Sequence, residues 1–144
     1  MTRLPVTVRD ATEADLPPMQ TLLGELGYVV DVQTLHRRFR AFSRAGEQAL
    51  VAERDGHVIG LATLHITPVL HRAGAVGRVT AMVVTESARG TGAGAALMAV
   101  AESRLTAAGC VLLEVTSNRA RTDAHAFYEG LGYQATSFRF GKAL

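Results

Sequence analysis

Apolar residues recur along the chain with two periods, and the switches between them mark the elements. Residues 4–9 set Val6 and Val8 between polar neighbours, the alternation of a strand with one buried face. Thr12-Glu13-Ala14-Asp15 has the spacing of a capping box. Pro17 and Pro18 fit only a first helical turn, so Asp15 is read as the cap of a helix carrying Leu22, Leu23 and Leu26 and stopped by Gly27. The spacing predicts a second helix over residues 32–44, with Leu35 and Phe39 inward and Arg37, Arg38 and Arg40 outward. Residues 49–53 and 58–66 read as strands around Asp55-Gly56, a strong hairpin signal, and Pro68 ends the second. A loop with His71, Arg72 and Gly74 leads to a strand over residues 75–84. A helix to about residue 108 follows, with Leu97, Ala101, Leu105 and Ala108 at helical spacing and Gly109 at its end. Residues 111–116 read as a strand, 123–131 as a short helix stopped by Gly132, and 133–140 as a last strand. This order is α/β (α+β), in one domain of 144 residues without repeats or linkers.

Between the strand over 75–84 and the helix after it, the chain reads Thr85-Glu86-Ser87-Ala88-Arg89-Gly90-Thr91-Gly92-Ala93-Gly94. Glycine lets backbone approach a ligand closely. A helix start adds unpaired N–H groups and the positive end of the dipole. Together these form a seat for a phosphate or diphosphate, with Arg89 as a charge at its lip.

Composition narrows the partners. A net charge of +2 with scattered basic residues and no Trp gives no basic stripe with interleaved aromatics, so no nucleic-acid partner is expected. The apolar runs are too short to span a membrane, residues 1–5 lack the apolar region of a secretory signal, and one cysteine, Cys110, suits a reducing cytoplasm. His57, His65 and His71 lack the spacing of a zinc site, and no metal is expected.

Arg89-Gly90-Thr91-Gly92-Ala93-Gly94 resembles the Arg/Gln-x-x-Gly-x-Gly/Ala loop of the GNAT acetyltransferase superfamily. Thr116-Ser117-Asn118 at a strand end, followed by Asp123-Ala124-His125-Ala126-Phe127-Tyr128-Glu129-Gly130-Leu131-Gly132-Tyr133, resembles that superfamily's second coenzyme segment. From about Gly56 onward the chain is also similar to bacterial aminoalkylphosphonate N-acetyltransferases, notably in Asp123-Ala124-His125, Phe127-Tyr128 and the ending Ser137-Phe138-Arg139-Phe140. The resemblance implies a GNAT fold: a mixed, mostly antiparallel sheet of six to seven strands flanked by about four helices. It implies acetyl-CoA as co-substrate, held by Met82, Val83, Val84, Arg89, Gly90, Thr91, Gly92, Ala93, Gly94, Asn118, Arg121 and Tyr128. It further implies transfer to a primary amine of a small molecule by direct attack, and a homodimer. One departure stands out. The fourth strand carries carboxylates in those relatives but reads Gly77-Arg78-Val79-Thr80-Ala81-Met82 here, so no base transfers to it.

Acetyl transfer to an amine needs a neutral amine, yet one with a pKa near ~10.4 is only about one part in a thousand deprotonated at neutral pH. It also needs a donor for the oxyanion, which the family takes from a strand N–H, here around Val83, and an acid for the leaving thiolate. Tyr128 matches the tyrosine that the family points at the sulfur; the alternative is a core aromatic beside Phe127. For the base, Glu114 stands in the apolar run Val111-Leu112-Leu113-Glu114-Val115, either as sheet-edge decoration or aimed into the site. His65 carries the ring that changes charge near neutral pH, though a lone strand histidine also suits a structural role. Arg72 and Arg78 suit an anionic acceptor. Two other functions fit parts of the pattern. A non-catalytic acyl-CoA-binding module would keep the seat and lack a base. A dinucleotide-binding oxidoreductase would use Gly90-x-Gly92-x-x-Ala95, although that motif normally follows a first strand.

Overall fold

The turn at Asp55 and Gly56 seeds the sheet. Both residues are left-handed, at φ 52° and 73°, the backbone of a tight hairpin between strands of right-handed twist. The computed structural model describes residues 4–117 and 119–144, and the chain divides into two compact units, Met1–Glu114 and Val115–Leu144.

In the first unit, β1 (Thr7–Asp10), β2 (Gln48–Arg54), β3 (His57–Thr67) and β4 (Ala75–Val84) pair antiparallel in sequence order, and β5 (Cys110–Val115) stands next to β4. Helices α1 (Leu16–Leu26) and α2 (Val32–Arg44) precede β2, and α3 (Ala93–Ala107) joins β4 to β5. Asp15 occupies the N-cap of α1 with a proline in the first turn, and Gly27 ends that helix at φ 109°, as the sequence suggested. The second helix and the fourth strand have the bounds expected from the pattern.

Successive strand residues face opposite sides of a sheet. Gly60 and Gly77 face α3, which lays Leu97, Met98, Ala101 and Leu105 on that side. A Cβ at Gly77 would come within 2.6 Å of the Leu105 side chain, so glycine there is what lets the helix lie close. Leu61, Val51 and Val83 face the other way, into a core with Leu16, Met19, Leu22 and Leu35 of α1 and α2. Between β3 and β4 the register slips: Thr63 faces Ala81 while Leu64 faces Val79, which leaves Thr80 as an extra residue in β4.

One expectation changes. The sheet has five strands rather than six to seven, because residues 133–140 form no ladder among the described residues. Phe138 and Phe140 alternate with polar residues as a strand would, but their side chains are 76% and 93% exposed, and a strand exists only through a hydrogen-bonded neighbour. Ala108 is the C-cap of α3 and Gly109 follows it at φ 86°, as the sequence suggested, with Leu97, Ala101 and Leu105 buried. The second unit contains α4 (Thr122–Gly130), followed by Gly132 at φ 93°.

Asp15 ties the helical layer to the sheet. It is 5% exposed, accepts two hydrogen bonds of 2.8 Å from the Arg9 guanidinium and a third of 2.8 Å from the Thr12 N–H, while Arg9 also donates to Glu53. The Arg9 bonds hold the Asp15 carboxyl below the usual carboxylate range. Its folded pKa is therefore depressed, so its stabilisation is present above the unfolded value near ~3.9 and is lost as pH falls through the folded value. Replacing Asp15 with Asn should cost about 1–3 kcal/mol at neutral pH in denaturant unfolding, and the variant should lose less stability than the wild type on acidification below about pH 4.

Candidate active site

The seat is built from an interruption in backbone hydrogen bonding. β4 ends at Val84, the Thr85 N–H donates to the Ile59 carbonyl at 2.8 Å, and a 3-10 turn follows over Glu86–Ala88. Gly90 and Gly92 are left-handed at φ 73° and 95°, with open space where their side chains would be. The first helical bond of α3 runs from the Ala96 N–H to the Gly92 carbonyl at 3.0 Å. Among the described residues nothing accepts from the N–H groups of residues 90–95. Free donors at the N-terminus of a 15-residue helix have the chemistry that suits an anion. Arg89 is exposed beside it, its Nε donating to the Val84 carbonyl at 3.1 Å.

Two side chains from elsewhere in the fold hold this segment. Glu25, near the end of α1, accepts from the Thr85 hydroxyl at 2.8 Å and the Glu86 N–H at 3.0 Å. Arg54, the last residue of β2, donates to the Thr91 hydroxyl at 2.8 Å and the Thr91 carbonyl at 3.0 Å. Sequence reasoning missed both. Each lies far from its partner in the chain, and neither stands in a motif.

A polar strip occupies the sheet face that α1 and α2 cover further along. Thr63 and His65 follow Leu61 at two-residue steps on that face, and Arg78 stands opposite His65 in the register. The hydroxyls of Thr63 and the bulged Thr80 are 2.7 Å apart. His65 Nδ1 lies 2.6 Å from Glu47 Oε1. A carboxylate oxygen accepts, so this contact is a hydrogen bond from the ring Nδ1–H, and Nε2 is the ring nitrogen that Glu47 does not engage. Arg78 donates to Glu114 at 3.2 Å, with both side chains 40% exposed. Glu114 is thus the partner of a guanidinium. Met82 and Val84 pair with Ala62 and Gly60 on the α3 side, while Val83 points into the α1–α2 core.

In the second unit, Tyr128 of α4 packs edge-on against Phe127 and Tyr133, with ring centroids 5.2 and 6.1 Å away. Burial pushes its phenol pKa up, partly opposed by the positive charge of Arg121, so the group stays protonated at neutral pH. Arg121 stands at the N-cap of α4, where its carbonyl accepts from the His125 N–H at 3.1 Å. The Ser117 hydroxyl is buried and has no hydrogen-bond partner among the described residues. Asn118, expected to contact the coenzyme, lies outside the described residues.

The five-stranded sheet in this order, with a strand-turn-helix between β4 and α3, is an architecture shared with known proteins. The chain belongs to the acetyltransferase (GNAT) family, whose sequence model matches residues 14–133. It is 36% identical over 139 residues, 95% of this chain and 90% of that protein, to the aminoalkylphosphonate N-acetyltransferase of Salmonella typhimurium. Among solved structures it is similar to a transcriptional regulator from Bacillus halodurans, with a TM-score of 0.89 and 27% identity, covering 97% of this chain and 100% of that one. A Trypanosoma brucei acetyltransferase aligns with a TM-score of 0.83 and 29% identity over the same shares. The protein is therefore an acetyl-transferring enzyme, and enzymes of its family use acetyl-CoA as co-substrate.

The seat depends on the left-handed backbone at Gly92. Substitution by Ala should cost about 1–2 kcal/mol through strain and weaken coenzyme A binding by more than about tenfold in calorimetric titration. Gly109→Ala, at φ 86° beyond the far end of α3, imposes similar strain and should leave binding unchanged.

Proposed function

We propose that this protein transfers acetyl from acetyl-CoA to the primary amine of a small, anionic molecule resembling an aminoalkylphosphonate, by direct attack without an acyl-enzyme. The observation that carries this is the run of unpaired N–H groups over residues 90–95, whose donors suit a diphosphate. Acetyl-CoA supplies the activated acetyl group as a thioester. Met82, Val83, Val84, Arg89 and residues 90–94 are assigned to its binding, together with Asn118, Arg121 and Tyr128.

The remaining roles fall to side chains of this chain. His65 takes the proton that the amine loses as the C–N bond forms, because Glu47 steadies the ring through Nδ1 and does not engage Nε2. Glu114 is the second choice, since Arg78 already engages it. Tyr128 gives its phenolic proton to the sulfur as the C–S bond breaks; its raised pKa keeps that proton in place at working pH. Arg78, half-exposed on the same face as His65, suits an anionic group on the acceptor, in line with the substrate class in the name of the Salmonella relative. With His65 available, the missing carboxylate of β4 no longer favours a module that binds without turning over. We also propose a cytoplasmic homodimer with no nucleic-acid or membrane partner. The exposed Phe138 and Phe140 support the dimer, and the lone thiol of Cys110 supports the compartment.

A thiol-release assay with acetyl-CoA over aminophosphonates, polyamines, aminoglycosides, amino acids and peptide N-termini tests the assignment. Turnover should be highest with the aminophosphonates and should fall when Arg78 is replaced by Met. Absence of thiol release with every amine would overturn it. Replacing Tyr128 with Phe should lower kcat by about 10²–10⁴-fold with little change in coenzyme affinity. In the wild type, activity should decline only above about pH 10, where a phenol of raised pKa ionises, and the Phe variant should lack that limb. Collapse of coenzyme affinity in the variant would instead mark Tyr128 as a packing residue.

A further inference from the structure

Thr91 sits between two left-handed glycines, where no regular backbone pattern holds the chain. Its carbonyl is the group that the Ala95 N–H would take if α3 began one residue earlier. In the structure one lobe of that carbonyl receives Arg54 Nη2 at 3.0 Å, and the Thr91 hydroxyl receives Nη1 at 2.8 Å while donating to the Ala88 carbonyl. The third contact of the fork, from Nε to the Leu4 carbonyl at 2.9 Å, fixes the guanidinium plane. Arg54 is itself placed by the hairpin turn that follows it at Asp55 and Gly56. All three acceptors are neutral, and among the described residues no carboxylate pairs with this half-buried cation. A positive charge therefore stands without a counter-charge against the loop.

We infer that Arg54 is the positioning residue of the diphosphate seat: by gripping Thr91 at both its oxygens it keeps the N–H groups of residues 90–95 free, and it adds a positive charge beside them. This rests on the assignment of that loop to the coenzyme diphosphate under Proposed function. The interaction is a fork, so lysine, a point charge on a flexible stem, does not replace it.

Calorimetric titration of the wild type, Arg54→Met and Arg54→Lys with coenzyme A and with 3′-dephospho-coenzyme A, beside steady-state kinetics and thermal midpoints, tests this. Arg54→Met should weaken binding of both coenzymes and raise KM for acetyl-CoA about tenfold, roughly the worth of one charge-assisted hydrogen bond, with kcat and KM for the amine within about twofold. Arg54→Lys should recover part of the loss. Thr91→Val should weaken binding alone and add little on top of Arg54→Met, as coupled neighbours do. Unchanged affinity in folded Arg54→Met protein would overturn the inference. So would a loss confined to coenzyme A and absent with the dephospho form, since that marks direct contact with the 3′-phosphate. Joint decline of kcat, both KM values and the thermal midpoint would reduce Arg54 to a general structural role. A wild-type chain that binds neither coenzyme would overturn the functional assignment itself, an outcome distinct from all of these.

Discussion

A stretch of main chain kept from pairing with itself is the constraint on which the site depends. A helix start leaves its first N–H groups without intrahelical partners, and such a group buried away from water is a cost. Here Gly90 and Gly92, both left-handed, turn the chain so that the donors of residues 90–95 point away from internal acceptors. Helix α3 lies close to the sheet because Gly77 leaves room for Leu105, and that seating places the free N–H groups at the end of β4. Glycine thus acts twice in the same unit, once for backbone conformation and once for close approach.

The side chains that steady this arrangement come from outside the loop. Glu25 of α1 holds its entry and Arg54 of β2 holds its middle. The first belongs to the helical layer and the second to the sheet. On the sheet face shared with α1 and α2, Glu47 orients His65 and Arg78 engages Glu114, giving oppositely charged groups in one strip. A zwitterionic acceptor, with an amine and an acid on one small molecule, matches such a strip in chemistry.

Much of this was legible in the sequence where the signal is local. The helix Val32–Arg44 follows from its apolar spacing, the hairpin from Asp55-Gly56, and the left-handed turn into α3 from the glycines at 90 and 92. What was not legible is long-range. Arg54 and Thr91 are 37 residues apart, Glu25 and Thr85 are 60, and His65 and Glu47 are 18, so no window of pattern reveals them. The bulge at Thr80 is likewise a property of pairing rather than of β4 alone. The expected strand over residues 133–140 shows the opposite failure: Phe138 and Phe140 alternate as a strand does, yet alternation supplies no partner for the backbone.

The central claim is that the free main-chain amides grip the coenzyme diphosphate. Amide-resolved NMR of the isotope-labelled protein, titrated with coenzyme A, reads those groups one by one. The largest shifts should fall on the N–H signals of residues 90–95, those closest to the charge. Coenzyme binding that leaves those signals in place and moves a different surface, or no binding at all, would contradict the account.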